Sequence, residues 1–550
     1  MAHEALPAYL ASAQPNPKSN RAPWYKNTAQ TYAGIFLWIA FYDTLAGTAD
    51  GPGALGMSGL GKCLAALVAA GLISHALFYV VPGMLGMKTG LPLYIVGTST
   101  FGTKGGYFIP GIFMGLLQIG WYSVATFYAT KLVLGGVGLG EYDNTLFGPP
   151  PAGQPNAFSA VFVIMAVVWG YLFAFFGGLG INMVARLSTY FPIVPIVMLI
   201  VAAVAAAGHL GSYDRAKSAQ NALAAQSILR EAETQATDAA RLAGKSEAEA
   251  RAAGAEARNA LAREKANQAA IERAKVGENG EKLIAGALGF AGVLLMIQLV
   301  IGFFATAGAC GADFCSNNRN EHDVQMGGLV GIALAILFTG GLAVIAVAGA
   351  QGALAGRLAA GDVTWGELVS YKFSDALPVL SPTLGKIMLI LFAIGSMAPA
   401  SFCSFIIGNS LSTMLARPKA RVQITMAGAT IGIVLAALGV AGNLGAFFGL
   451  IGASFGPVLG AMTADYLLSG RKWAGPREGI SIPGYAAWII GFVVGVSNNG
   501  FLFGANPPVP VWFPTGVASM IVGFIVYAVL AKAGLEGKTV PYRTAESLEA

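Results

Sequence analysis

Apolar stretches of roughly 20 residues, the length that crosses a bilayer, recur about twelve times in this sequence. They lie near 31–48, 62–86, 106–134, 157–180, 187–208, 283–308, 326–350, 384–411, 422–443, 447–468, 484–504 and 513–532. A chain that is 55% hydrophobic and 11% charged, with mean hydropathy +0.64, has too little polar surface to cover so many apolar segments in water. The expectation is an all-α membrane protein with about 12 transmembrane helices.

The basic residues orient it. Lys and Arg are retained on the cytoplasmic side of short loops. Lys18, Arg21 and Lys26 precede the first span, and Lys88, Lys104, Arg186, Arg319, Arg417, Lys419, Arg421, Arg471, Lys472 and Arg477 follow even-numbered ones. Lys532, Lys538 and Arg543 follow the last, so both termini are expected in the cytoplasm of a cell whose inner membrane the chain crosses many times. This bias accounts for the net charge of +6 without nucleic acid as a partner. Residues 1–26 lack the basic-then-apolar pattern of a signal peptide and read as a mobile cytoplasmic tail, and residues 534–550 as a cytoplasmic C-terminal tail.

One segment departs from the pattern. Residues 211–280 separate spans 1–5 (27–210) from spans 6–12 (281–533), and hold 22 Ala and 21 charged residues in 70. Ala, Glu, Arg, Lys and Gln are strong helix formers. Gly244 followed by Lys245, Ser246 and, three residues on, Glu249 reads as a helix stop and a capping box. An extramembrane helical hairpin is predicted, with arms of about 30 residues, roughly 45 Å each, and an alanine-built seam. Its partner is not specified by the sequence.

Gly- and Pro-rich runs mark breaks: "LAGTADGPGALG" (45–56) after the first span and "ATAGACGAD" (305–313) at the end of the sixth. Broken helices five spans apart fit a carrier built from two inverted five-span repeats, with its site at the breaks. Gln118 and Trp121 share one face of the third span. Phe303 and Phe304 precede the sixth-span break. An indole and a phenyl ring can sandwich a flat ring, and base–aromatic stacking contributes about 1–3 kcal/mol. The Gln118 amide adds the donor and acceptor that stacking lacks.

Asp43, in the first span, is costly at that depth unless paired, protonated or hydrated, and is a candidate for substrate binding and for proton coupling. Asp313, which ends the sixth span, is expected to meet water or Arg319 in a structural or gating role, and with Asp43 and Ser396 it is a candidate for cation or proton coupling. His75 reads as a packing residue. In the eighth span Ser396, Pro399, Ser401, Ser404 and Asn409 offer oxygens that a hard cation such as Na⁺ accepts. The four cysteines have no paired CxxC spacing, and neither GxxxxGK[ST] nor HExxH occurs, which argues against an ATP-driven pump, a zinc hydrolase, or an enzyme of those kinds. No metal or cofactor is expected beyond Na⁺ in a coupling role.

Three stretches, "GMKTGLPLYIVGTSTFGTKGGYFIPGIFMGLLQIGWYSV" (86–124), "IGFFATAGACGADFCSNNRN" (301–320) and "FGPVLGAMTADYLLSGRKW" (455–473), together resemble the nucleobase:cation symporter-1 family, in its cytosine-permease-like branch. The resemblance implies a LeuT-like fold of ten core spans plus two, working by alternating access. It implies that Gln118 and Trp121 bind the solute, that Phe304 closes the other face of the ring, and that Asp313 is the acid of the family's "ADF" motif. Where sodium-dependent members carry two adjacent hydroxyls, this chain has Ser396 and Met397, and Asp43 stands where the cytosine branch is uncharged.

The sequence therefore reads as a secondary-active importer of a nucleobase or related small heterocycle, coupled to H⁺ or Na⁺. Two alternatives stay open: an amino-acid or amine carrier with Asp43 as counter-ion, and a non-transporting membrane sensor or scaffold using the hairpin.

Overall fold

The computed structural model describes residues 6–26, 44–48, 51–139, 159–442 and 444–544. Among them ten helices are long and apolar enough to cross a membrane. Keeping the ordinals of the sequence expectation, they are span 2 (Leu60–Thr89), span 3 (Tyr107–Gly136), span 4 (Ala160–Gly178), span 5 (Arg186–Ala207) and span 6 (Gly289–Ala309). Then follow span 7 (Glu321–Ala359), span 8 (Gly385–Met414), span 9 (Pro418–Ala437), span 10 (Phe447–Leu468) and span 12 (Thr515–Lys532). The expected first span, with Asp43, lies outside the described residues apart from 44–48.

Span 11 is shorter than its apolar run suggests, at Ile482–Gly495, 14 residues. The run "VSNNG" stops it: Asn498 donates its amide to Val511 and Phe513 carbonyls, and the Asn499 side chain caps a four-residue helix at Gly500–Phe503. Local side-chain bonds of this kind compete with the helix ladder.

The spans sort into groups by packing. Span 2 packs on both span 6 and span 7, with span 5 along span 7 and also touching span 8, and these form a first group; spans 3, 4, 8 and 9 form a second group. Spans 10, 11 and 12 pack together, span 10 also lying on span 6. Apolar burial drives little association inside lipid, so close backbone approach at small residues takes its place. At Gly86 of span 2 an added Cβ would lie 2.0 Å from the Ala312 carbonyl oxygen, and at Gly302 of span 6 it would lie 2.7 Å from Phe448 Cβ. Spans 2 and 7 each contain one π-helical stretch, Ser74–Tyr79 and Leu329–Leu334, and these touch. His75 stacks on Tyr79 there, consistent with a packing residue.

The hairpin stands at the end of the molecule where span 2 begins. Its first arm, Arg215–Leu242, is 28 residues long, and Ser246 and Glu249 form the capping box that opens the second. The seam is built from small side chains: Ala250 and Gly254 are buried, and a Cβ at Gly254 would meet Thr237 Oγ1 at 2.0 Å. The second arm, Glu247–Ala262, runs 16 residues rather than about 30. Residues 263–267 leave the helix to pair with the loop after span 7, Ala266 N–H donating to Val363 O and Trp365 N–H to Glu264 O. Tertiary pairing here overrides the helix propensity of "REKAN". A separate apolar cluster, including Leu229, Ile271, Leu354, Val363, Trp365 and Leu368, fastens the hairpin to that loop. At the hairpin's base Arg215 donates to the carbonyls of Gly56, Leu283 and Ile284.

The opposite end carries both described termini. The expectation of a mobile N-terminal tail is not met: Tyr9 and Leu10 are buried, and Tyr542 near the other terminus donates to Leu10 O. Beside them lies a buried ionic cluster. Arg477 bonds Asp465 of span 10 at 2.6 Å, Tyr527 of span 12 at 2.9 Å and Glu536 at 3.0 Å, while Asp465 also accepts from Ser99 and Thr100. Burial opposes the Arg477 charge, but Asp465 and Glu536 hold its pKa above the usual value.

Candidate functional site

Three helices drawn from the two groups meet around one small cavity. Span 3 contributes Gln118, Trp121 and Ala125; span 6 contributes Phe303, Thr306, Ala307 and Cys310; span 8 contributes Pro399, Phe402 and Cys403. Phe314, just beyond span 6, completes the lining. The cavity therefore sits on the seam between the two helix groups. Among the described residues no lining side chain carries a formal charge.

The indole of Trp121 fills much of this seam. Its Nε1–H donates to Thr306 Oγ1 at 2.8 Å. Three phenyl rings enclose it, Phe303 at 4.9 Å and 71° and Phe447 at 5.1 Å and 79°, both edge-on, and Phe448 at 5.5 Å and 37°. Gln118 lies one helical turn earlier on the same face, and its Nε2 meets only sulfur, Met114 Sδ at 3.5 Å and Cys310 Sγ at 3.9 Å. Thioether and thiol are weak acceptors, so this amide is poorly engaged and suited to donate to a better one.

The remaining cavity has a volume of about 50 Å³. A cavity of about 150 Å³ accommodates benzene. Two helix groups must therefore part, or Trp121 must swing, before a heterocycle fits.

Of the expected site residues, the structure brings Gln118, Trp121 and Phe303 together. Phe304 does not line the cavity. It is fully buried one position further round the helix, its ring 5.0 Å from that of Phe303, because successive residues on a 3.6-residue turn point about 100° apart. Asp43 lies outside the described residues.

Ser396 is buried in span 8 with its hydroxyl donating to Ala393 O at 2.5 Å, so it back-bonds its own helix and does not border the cavity. Asp313 is not paired with Arg319, which instead bonds Asp323 at 2.8 Å. Asp313 accepts from the N–H of Leu93, the first residue of a short helix between spans 2 and 3, and burial pushes its pKa up to about 7. Among the described residues no cluster of three or more His, Cys, Asp or Glu side chains could hold a metal ion.

Thr306, Cys310, Phe402 and the pair Phe447 and Phe448 were not singled out by the sequence. Thr306 was within reach, since it lies three residues after Phe303 and so on the same face. The span 10 phenylalanines carry no local signal, and only the packing of span 10 on span 6 brings them to the indole.

A buried cavity whose described lining is uncharged thus lies on the seam between two groups of apolar helices. The family model described as permease for cytosine/purines, uracil, thiamine and allantoin matches residues 15–236, so this part of the chain is similar to that family.

The fold is similar to that of Mhp1, a nucleobase-cation-symport-1 family transporter, in a closed conformation with bromovinylhydantoin bound (14% identity, 94% of this chain and 92% of that one, TM-score 0.56). The inward-facing conformation of Mhp1 is similar (14% identity, 95% and 94%, TM-score 0.54). So is a Na⁺-coupled sialic acid symporter in a substrate-bound outward-open state (11% identity, 97% and 95%, TM-score 0.50). The all-helical, LeuT-like architecture expected from the sequence is the architecture of these neighbours. No curated protein is significantly similar in sequence.

Proposed function

We propose that the chain imports a small, neutral heterocycle of the nucleobase type by alternating access, its two helix groups parting first on one face of the membrane and then on the other. The observation that carries this reading is the uncharged cavity on the seam, where Trp121 and Phe303 offer aromatic faces and edges beside the weakly engaged Gln118 amide. Phe303 takes the place given to Phe304 by the family resemblance. The family match supports the substrate class, and the hydantoin bound by Mhp1 is likewise a flat ring. An amine carrier would want a carboxylate at the cavity, and the described lining has none.

For the driving ion the reading favours a proton. Asp313, raised to about 7, is placed to exchange one near neutrality. The span 8 position expected to help bind Na⁺ presents Ser396, turned to its own helix, and the soft sulfur of Met397. The face bearing the described termini is assigned to the cytoplasm on its basic residues.

A thermal-shift panel of bases, hydantoins, ureides and amines, with and without Na⁺, selects the solute, because ligand binding stabilises by mass action. Uptake of that solute in radiolabelled form then tests the site. Trp121→Ala removes a stacking contribution of about 1–3 kcal/mol, so apparent affinity should fall roughly 5- to 150-fold. Unchanged uptake by Trp121→Ala would refute the site.

A further inference from the structure

The N-terminal segment touches both helix groups across the face where they must separate. Residues 16–24 are fixed to the first group. Asn16 N–H donates to Gly90 O, just past span 2, and its amide to Ser316 O and Asn317 Oδ1, between spans 6 and 7. Arg21 is buried and its guanidinium reaches the carbonyls of Met87 (2.5 Å), Asn318 and Asn16. Ala22 N–H bonds Asn317 O, and Trp24 N–H bonds Asp323 Oδ1 at the start of span 7.

Residues 8–12 form a short helix that lies instead on the second group. It packs against span 8. Tyr9 donates its hydroxyl to Thr103 O at 2.7 Å, and its ring meets Tyr107, the first residue of span 3, edge-on at 5.6 Å. Leu10 is completely buried beside it. Three residues, Ala13–Pro15, join the two footholds, and Pro15 within this connection and Pro17 just after it stiffen the chain. So short a connection leaves little slack when the groups move apart.

We propose that this segment is a built-in latch that holds the terminal face of the seam shut, and that opening on that face requires the Ala8–Ser12 end to release while the Arg21 end stays. The Arg21 end is the anchor because a buried guanidinium deprived of its carbonyl partners would be left with unmet donors. The Tyr9 end is the one that yields, being held by a single hydroxyl bond to Thr103, the Tyr542 bond and ring packing. The latch rests on the reading that the groups part along the seam, and not on which solute is carried.

Two native thiols report the opening directly, since Cys310 and Cys403 both line the cavity. In sealed vesicles of each orientation, their alkylation by a membrane-impermeant maleimide is followed by peptide mass spectrometry, with detergent-unfolded protein defining complete reaction. Tyr9→Ala and Leu10→Ala should raise the rate about 5-fold or more from the terminal face and leave it unchanged from the hairpin face. Tyr9→Phe, which removes only the hydroxyl and keeps the packing, should give a smaller rise in the same direction.

Rates equal to wild type in all three variants, with the thiols reacting when solute is supplied, overturn the latch and leave the seam intact. Thiols that react from neither face under any condition overturn the seam reading and the latch with it.

Discussion

Trp121 closes the path it is proposed to serve. Its N–H is satisfied by Thr306, its ring is enclosed by three phenyl groups, and what remains beside it is too small for a ring-shaped solute. Asp313 sets the pH behaviour of this conformation. Its carboxyl is raised to about 7 chiefly by burial, the Leu93 N–H opposing that shift, so here the group binds a proton more tightly than it would in water. Its stabilising contribution is complete below the ordinary carboxylate range and is lost as pH rises through about 7.

Uptake by the wild type should therefore change between pH 6 and 8, and Asp313→Asn should flatten that change; an unaltered pH profile in the variant would remove Asp313 from the coupling. Gln118 and Trp121 were legible because two polar-tipped side chains share a helix face in an apolar run. Phe303 could not be separated from Phe304 without knowing how the helix is rotated. The partner of Asp313 was not legible at all, because Leu93 is 220 residues away in sequence.

At the level of helices, the hairpin turn is the most locally encoded part of the molecule. Ser246 and Glu249 cap the second arm, and Glu247 is clamped by Arg241 at 2.7 Å and Arg251 at 2.9 Å. Bonds from Arg241 and then Arg251 lower the Glu247 carboxyl to about 2. A depressed acid contributes its stability above its unfolded value, here near 4.5, and loses it as pH falls towards 2.

A spin label at Lys245→Cys should gain mobility over that interval, and Glu247→Gln should shift the wild-type mobility at neutral pH towards the acid form. Mobility independent of pH in both would show that the clamp contributes nothing. The turn was readable because a capping box spans only four residues. The early end of the second arm was not, since residues 263–267 are good helix formers diverted by a pairing partner about a hundred positions away. Span 11 likewise ends for a reason, the Asn498 bonds to the 511–513 segment, that hydropathy does not register.

Across the whole molecule, Arg477 joins parts that the sequence keeps far apart: the 99–100 segment before span 3, span 10 and the end of span 12. Its side chain is 6% exposed and that of Asp465 is 4% exposed. Breaking one partner of a buried pair strands the other charge, at a cost of about 3–5 kcal/mol. Asp465→Asn should accordingly lower the midpoint of thermal unfolding by several degrees or prevent recovery of folded protein, while Lys265→Gln, which breaks the exposed pair of Lys265 with Asp362 at 2.9 Å, should leave it unchanged; equal midpoints for both would deny the cluster its role. The count of apolar stretches announced a many-span protein, but which spans travel together is written in contacts between distant segments.

The hairpin has its own consequence at this scale. Because Leu229 of its first arm and Ile271 beyond its second pack with Trp365 on the loop leading from span 7 into span 8, a force applied far out on this mast would be felt at the helix that borders the proposed solute site. An antibody fragment gripping the tip would thus be a brake lever, able to slow the carrier without approaching anything it carries.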